Sequence, residues 1–227
     1  MSVAWLTGAS RGIGRATAIA LAGRGCKLAL LGRPSHALDG TLAELAMAGA
    51  TARVFSCDLR RPEQLDAAAR AALAAYGPPD AVIHDAGVVL RASIETTSLE
   101  AYDEQLDVNL RAPFLLTRAV LPAMRTAGSG RIVFVGSIAS TLGSPGAAAY
   151  AASKWGMVGL MKSLAAELAE SGLMTVAVLP GSVATRMLEG SGFQPRMTPE
   201  DVAETLVHYA LDAPLAHNGG VVEMFGT

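Results

Sequence analysis

Cysteine is scarce in this chain: only Cys26 and Cys57 occur in 227 residues. So few thiols exclude a disulfide-stapled secreted scaffold, and free thiols in a reducing cytoplasm are expected. Aromatic residues make up only 5%, so the core must be built mainly of Ala, Leu, Val and Ile. Charge is sparse at 17% and nearly balanced at a net −2, which leaves no footprint for nucleic acid or an anionic membrane. No apolar run approaches the ~18 residues of a membrane span. The chain enters an apolar strand-like run at once (Val3-Ala4-Trp5-Leu6), so no leader peptide is expected either. What is abundant is hydrophobic residue, 51%, enough for a large buried core in one domain over 1–227.

Short β-branched and aliphatic runs alternate with alanine- and leucine-rich stretches, without an intervening linker. The runs predict strands over 2–6, 27–32, 52–56, 80–84, 131–136, 174–179 and 220–224. The stretches between predict helices over 13–24, 36–48, 62–76, 99–111, 113–126, 148–171 and 199–212. The strands lack polar alternation, as expected of a sheet covered on both faces. Strand–helix alternation then calls for an α/β fold with a parallel sheet and right-handed crossovers. Pro62 and Pro199 suit first-turn helix positions.

Two local patterns carry chemistry. The first is Thr7-Gly8-Ala9-Ser10-Arg11-Gly12-Ile13-Gly14, between a predicted strand and a predicted helix. Glycines remove the Cβ atoms that would block a pyrophosphate, and the helix start offers free N–H groups and a positive dipole end. The second is Tyr150-Ala151-Ala152-Ser153-Lys154. Positions i and i+4 share a helix face, so phenol and ammonium can enter one site. A Tyr normally loses its proton near pH ~10, and a neighbouring cation lowers that value toward the range useful for acid–base catalysis. Alone, a Tyr-x-x-x-Lys pair is most often a solvated helix face. The glycine turn, and Ser137 at the end of the run Arg131 to Gly136, make it more than that.

With Asp58 in Cys57-Asp58-Leu59, Ala86-Gly87 after a strand, Asn109 in Val108-Asn109-Leu110, and Pro180-Gly181 followed by Thr185, the chain resembles the short-chain dehydrogenases/reductases. Within that family it looks most like the 3-oxoacyl-carrier-protein reductases. The landmarks run in the family's order from residue 2 to about 185. The resemblance implies a Rossmann-type, doubly wound seven-stranded parallel sheet in three α/β/α layers, with strand order 3-2-1-4-5-6-7. It also implies hydride transfer between a nicotinamide and a carbonyl or carbinol carbon. In that scheme Ser137 orients the substrate oxygen and Tyr150 is the general acid or base. Lys154 lowers the Tyr pKa and holds the nicotinamide ribose, while Asn109 anchors a proton-relay water. Gly8, Ser10, Gly12, Ile13 and Gly14 meet the pyrophosphate. Asp58 and Leu59 lie by the adenine, and Ala86 and Gly87 line the adenosine side. Pro180, Gly181, Val183 and Thr185 flank the nicotinamide. No metal is called for.

Cofactor choice is legible in charge. The second strand ends Leu30-Leu31-Gly32-Arg33, with no acid to bind a ribose 2′-hydroxyl. Arg33, with Arg11 in the turn, favours the 2′-phosphate of NADP over NAD. One departure stands out: the family's Asn-Asn-Ala-Gly reads His84-Asp85-Ala86-Gly87 here. His84 is expected to hydrogen-bond nearby backbone. Asp85 is expected near the adenosine, where a carboxylate weakens binding unless it is protonated or compensated.

The expected substrate is a small-molecule or carrier-bound carbonyl compound. Residues 186–198 would form a short, glycine-containing lid, with Met187, Leu188 and Phe193 against an apolar substrate and Leu142 opposite. The broad apolar surface of the 148–171 helix predicts a second buried face, and the resemblance implies a homodimer or homotetramer. The segment Val221–Thr227 is short for a tetramer interface. A nucleotide-binding regulatory protein with little turnover is the alternative reading.

Overall fold

A computed structural model describes residues 1–226; Thr227 lies outside the described residues. Seven aliphatic runs form β1 (Val3–Thr7), β2 (Lys27–Gly32), β3 (Ala52–Ser56), β4 (Ala81–His84), β5 (Gly130–Val135), β6 (Leu173–Pro180) and β7 (Gly220–Met224). They pair in parallel in the order β3-β2-β1-β4-β5-β6-β7. The helices are α1 (Gly12–Gly23), α2 (His36–Met47), α3 (Pro62–Tyr76), α4 (Leu99–Leu106), α5 (Ala112–Ala127), α6 (Ala148–Glu167) and α7 (Pro199–Val207).

Successive strand residues point to opposite faces. Trp5, Val82 and Phe134 pack on one side with Leu65 of α3, Leu116 of α5 and Met157 of α6. Leu6, Ile83 and Val133 pack on the other with Leu21 of α1, Leu38 of α2 and Val202 of α7. Both faces are dry, which is why the strands read as continuous apolar runs. Each fully buried large side chain contributes about 1.5–3 kcal/mol by leaving water. Both thiols are buried and unpaired.

Helix starts follow the sequence signals. Pro62 and Pro199 occupy the first turns of α3 and α7. Thr198 Oγ1 accepts from the Asp201 amide (3.2 Å), and Asp201 Oδ2 accepts from the Thr198 amide (2.7 Å), a reciprocal cap. Three helix boundaries differ from expectation. The separate helices expected over 99–111 and 113–126 are one rod, because α4 widens into a π-helical turn, Asp107–Arg111, and runs straight into α5. Pro113 has no N–H for the carbonyl four residues earlier, and the widened turn absorbs that defect. The helix α6 stops at Glu167, not 171, where the chain turns through Glu170 (φ 61°) and Gly172 (φ 76°) into β6. The helix α7 stops at Val207, and the rest of the expected span, His208–Asp212, is π-helical.

Candidate active site

The strand order reverses between β1 and β4. At that switch point the carboxyl ends of the strands open into a cleft of ≈ 1010 Å³. Ligands of open α/β sheets bind at such a point. All the expected site residues line this cleft except Asn109 and Gly14, which sit behind its wall.

The glycine turn closes over β4. Thr7 Oγ1 accepts from the Ala86 amide (3.2 Å), and Thr41 Oγ1 of α2 donates to the Ala9 carbonyl (3.0 Å). These bonds stitch the turn to its neighbours on both sides. A Cβ at Gly8 would lie 2.7 Å from the Ala86 nitrogen, and Gly8 also has φ 84°, so only glycine fits.

Farther along the cleft, α6 delivers Tyr150 and Lys154 from one face, and Ser137 stands just past the end of β5. Ser137 Oγ accepts from the Ala139 amide (3.1 Å) and lies close enough to the Tyr150 phenol to pull its pKa down. Lys154 is 4% exposed; its Nζ reaches past the Tyr150 ring (5.7 Å from the centroid) and donates to the Val135 carbonyl (2.8 Å). Burial pushes the Lys154 ammonium down to about 8, against an upward pull from Asp85. The expected lowering of the Tyr150 pKa by Lys154 is not what the geometry gives. Burial holds the phenol above its usual range; the Ser137 hydrogen bond and the Arg91 charge oppose this, and Asp85 adds to it. The ammonium faces a backbone carbonyl rather than the phenol oxygen.

Asn109 is fully buried in the π-helical turn. Its Oδ1 accepts from the Val88 amide (2.8 Å), and its Nδ2 donates to the Val88 carbonyl (2.9 Å) and to Ser153 Oγ (3.0 Å). The side chain therefore pins the loop after β4, with both of its N–H donors committed. Its backbone carbonyl cannot receive the usual i+4 bond, because Pro113 has no N–H. Sequence reasoning missed Gln105, whose Oε1 accepts from the Leu90 amide (3.0 Å), and Ser140, whose Oγ donates to the Lys154 carbonyl (3.1 Å). Nothing in their spacing signals these long-range bonds.

At the opposite end, Arg11 and Arg33 are exposed on the cleft wall. Asp58 is engaged by Arg60, an arginine not singled out from sequence. Arg60 Nη2 lies 2.6 Å from Asp58 Oδ2, and Arg60 Nη1 lies 3.4 Å from Glu104 Oε1. Hydrogen bonds from Arg60 are the largest of the effects that take the Asp58 carboxyl down to about 2.

His84 departs from expectation. Its Nε2 meets Thr117 Oγ1 of α5 (2.9 Å), not backbone, and its ring lies against Phe134 (centroids 4.8 Å apart). Burial lowers its pKa to about 3, so it is a neutral core side chain. Asp85 lines the cleft with Ala86 and Gly87. Its carboxyl is tucked under the glycine turn, with Oδ2 2.5 Å from where a Gly14 Cβ would stand. Burial raises it to about 7, against pulls from Lys154 and the Gly14 amide.

The expected lid begins with a short turn, Arg186–Leu188, and its far end is pinned by a bridge between Val183 and Met197. Met187, Leu188 and Phe193 line the cleft opposite Leu142.

A parallel α/β sheet with a glycine turn at its switch point, facing a Ser–Tyr–Lys cluster, defines a class of nucleotide-linked α/β proteins. A family model described as short chain dehydrogenase matches residues 2–194, and the chain belongs to this family of oxidoreductases. It is 35% identical to a 3-oxoacyl-[acyl-carrier-protein] reductase of Synechocystis sp., over 96% of this chain and 92% of that one. It is 34% identical to D-threitol dehydrogenase of Mycolicibacterium smegmatis, over 96% and 88% of the two chains. A crystal structure of a putative NAD(P)-dependent gluconate 5-dehydrogenase from Beutenbergia cavernae, with bound NADP at low occupancy, is 35% identical. It superposes with a TM-score of 0.90 over 98% of this chain and 94% of that chain. Levodione reductase, at 28% identity, gives 0.93 over 99% and 96%. No helix among the described residues is long and apolar enough to cross a membrane.

Proposed function

We propose that this chain is an NADPH-dependent reductase of ketones, among them 3-oxoacyl thioesters. The observation that carries the reading is the convergence of Ser137, Tyr150 and Lys154 on the cleft that the glycine turn closes at its other end. The nicotinamide cofactor, when bound, supplies the hydride. Gly8, Ser10, Gly12, Ile13 and Gly14 hold its pyrophosphate. Asp58, Leu59, Ala86 and Gly87 lie along the adenosine, and Pro180, Gly181, Val183 and Thr185 along the nicotinamide. Ser137 donates a hydrogen bond to the carbonyl oxygen, and Tyr150 delivers the proton that oxygen needs as it becomes an alkoxide. A phenol held protonated by burial is in the right state for reduction at neutral pH. Lys154 would hold the nicotinamide ribose, and Asn109 would anchor the water that relays protons to Lys154.

The Synechocystis relative and the apolar mouth formed by Leu142, Met187, Leu188 and Phe193 support an acyl substrate, free or carrier-bound. Residues 186–198 act as its short lid on a one-domain chain. We place the protein in the cytoplasm. A homodimer or homotetramer is supported by the exposed Phe114 and Trp155 and by a groove that Phe114 lines with Leu106, Leu110 and Leu160.

Arg33 and Arg11 select the 2′-phosphate. Arg33→Asp should shift the NADPH/NADH preference toward NADH by at least about tenfold, the loss of one charge-assisted contact. Paired titrations with both nucleotides test this, and an unchanged ratio removes Arg33 from the site.

A further inference from the structure

We propose that Asp85 is a positioning residue that works in its protonated form, so that seating a dinucleotide on the Gly8–Gly14 turn draws one proton from solvent onto its carboxyl group. The inference rests on the reading of the cleft as a dinucleotide site.

Its first ground is position. Asp85 Oδ2 lies 2.5 Å from where a Gly14 Cβ would stand and 2.9 Å from where a Gly8 Cβ would stand. The Gly8 carbonyl oxygen crowds the same Gly14 point. A carboxyl oxygen and a carbonyl oxygen thus share a gap that exists only because Gly14 has no side chain. Two acceptor oxygens gathered around one point repel, and protonating the carboxyl relieves that repulsion and gives the turn a donor. The Gly14 amide and Lys154 pull toward the carboxylate, and burial outweighs them.

The second ground is charge. Among the described residues three carboxylates line the cleft, and Arg60 holds two of them, Asp58 and Glu104. Asp85 has no arginine. The groups facing it are few. Helix α6 contributes Lys154, already donating to Val135, and the Tyr150 phenol. The glycine turn contributes backbone alone, and the π-helical turn contributes the Asn109 amide, committed to Val88 and Ser153. From its own strand, His84 turns to Thr117 on the other face. Arg11 and Arg91 are exposed at the rim. A pyrophosphate on this turn therefore adds negative charge over a carboxyl that one buried ammonium only partly balances, and it favours the neutral acid.

Burial already brings Asp85 to about 7. The binding-competent acid is present below that value and is lost as pH rises through it. A bound dinucleotide raises the value further. Between the two, binding takes up a proton and affinity falls by up to tenfold per pH unit.

The test is the dissociation constant of NADPH and of NADH from pH 6 to 8.5, for the wild type and Asp85→Asn. NADH removes the titration of the 2′-phosphate from the comparison. The wild-type constants should climb toward tenfold per unit above about pH 7. The Asn variant, whose amide donates permanently, should climb less and bind at least about tenfold tighter at pH 8.5. An infrared difference spectrum on adding NADH at pH 8 should show a protonated-carboxyl C=O band in the wild type that Asp85→Asn lacks. Parallel pH profiles and no such band, with nucleotide binding intact, overturn the inference alone. Failure of both proteins to bind either nucleotide at any pH overturns the reading of the cleft, and the inference with it.

Discussion

Tyr150→Phe should lower ketone turnover by at least about 100-fold while leaving NADPH affinity within about twofold. The substitution removes one oxygen and keeps the ring. Ser137 then loses its phenol neighbour, but Lys154 still donates to Val135, so its ammonium stays in place. The loss should fall on kcat, because the proton is needed only as the carbonyl oxygen gains charge. The pH profile carries the sign. Burial raises the Tyr150 pKa, so the acid form persists through neutral pH and reduction should hold level there. Oxidation of an alcohol needs the phenolate and should rise into the alkaline range. Steady-state kinetics in both directions checks this; equal kcat in variant and wild type removes Tyr150 from the chemistry.

Gly14→Ala should disable the cleft at its other end. The added Cβ would sit 2.5 Å from Asp85 Oδ2 and closer still to the Gly8 carbonyl oxygen. Neither neighbour can move freely: Gly8 carries the turn, and Asp85 is anchored at the end of β4. The turn must open, and the start of α1 with it. The cost is on the order of 1–3 kcal/mol of stability, typical of overpacking. At least about tenfold of NADPH affinity should go as well, since a tenfold loss needs only ~1.4 kcal/mol. Gly23→Ala, at the far end of the same helix, is the control. A Cβ there meets nothing within 4 Å, and the change should be neutral or stabilise by roughly 0.5–1 kcal/mol. Urea unfolding and nucleotide titration of both variants separate the two outcomes. A Gly14→Ala protein as stable and as tightly binding as wild type would sink the account of the turn.

What was legible in the sequence is what depends on neighbours in the chain. The aliphatic runs marked every strand within a residue or two, and the prolines marked the starts of α3 and α7. The glycine turn and the Tyr150/Lys154 pair are local spacings, so they too could be read. Strand order came only from resemblance, because which strands neighbour each other is a long-range property. The same limit governs the contacts that spacing did not reveal. Whether Lys154 meets the phenol or the Val135 carbonyl depends on where β5 ends beneath α6. Whether Asp58 is free depends on how Arg60 folds back two residues later. The position of Asp85 under the turn depends on β4 lying beside β1. The fused rod of α4 and α5 did leave a local trace: Pro113 four residues after Asn109 marks a helix carbonyl without its donor.

Fluorescence titration with NADPH and NADH, followed by oxidation of bound NADPH on adding acetoacetyl thioesters and simple ketones, tests the central claim most directly. The account predicts binding of NADPH in preference to NADH and turnover with at least one ketone. A protein that binds neither nucleotide, or binds NADPH and reduces no carbonyl compound, would contradict it.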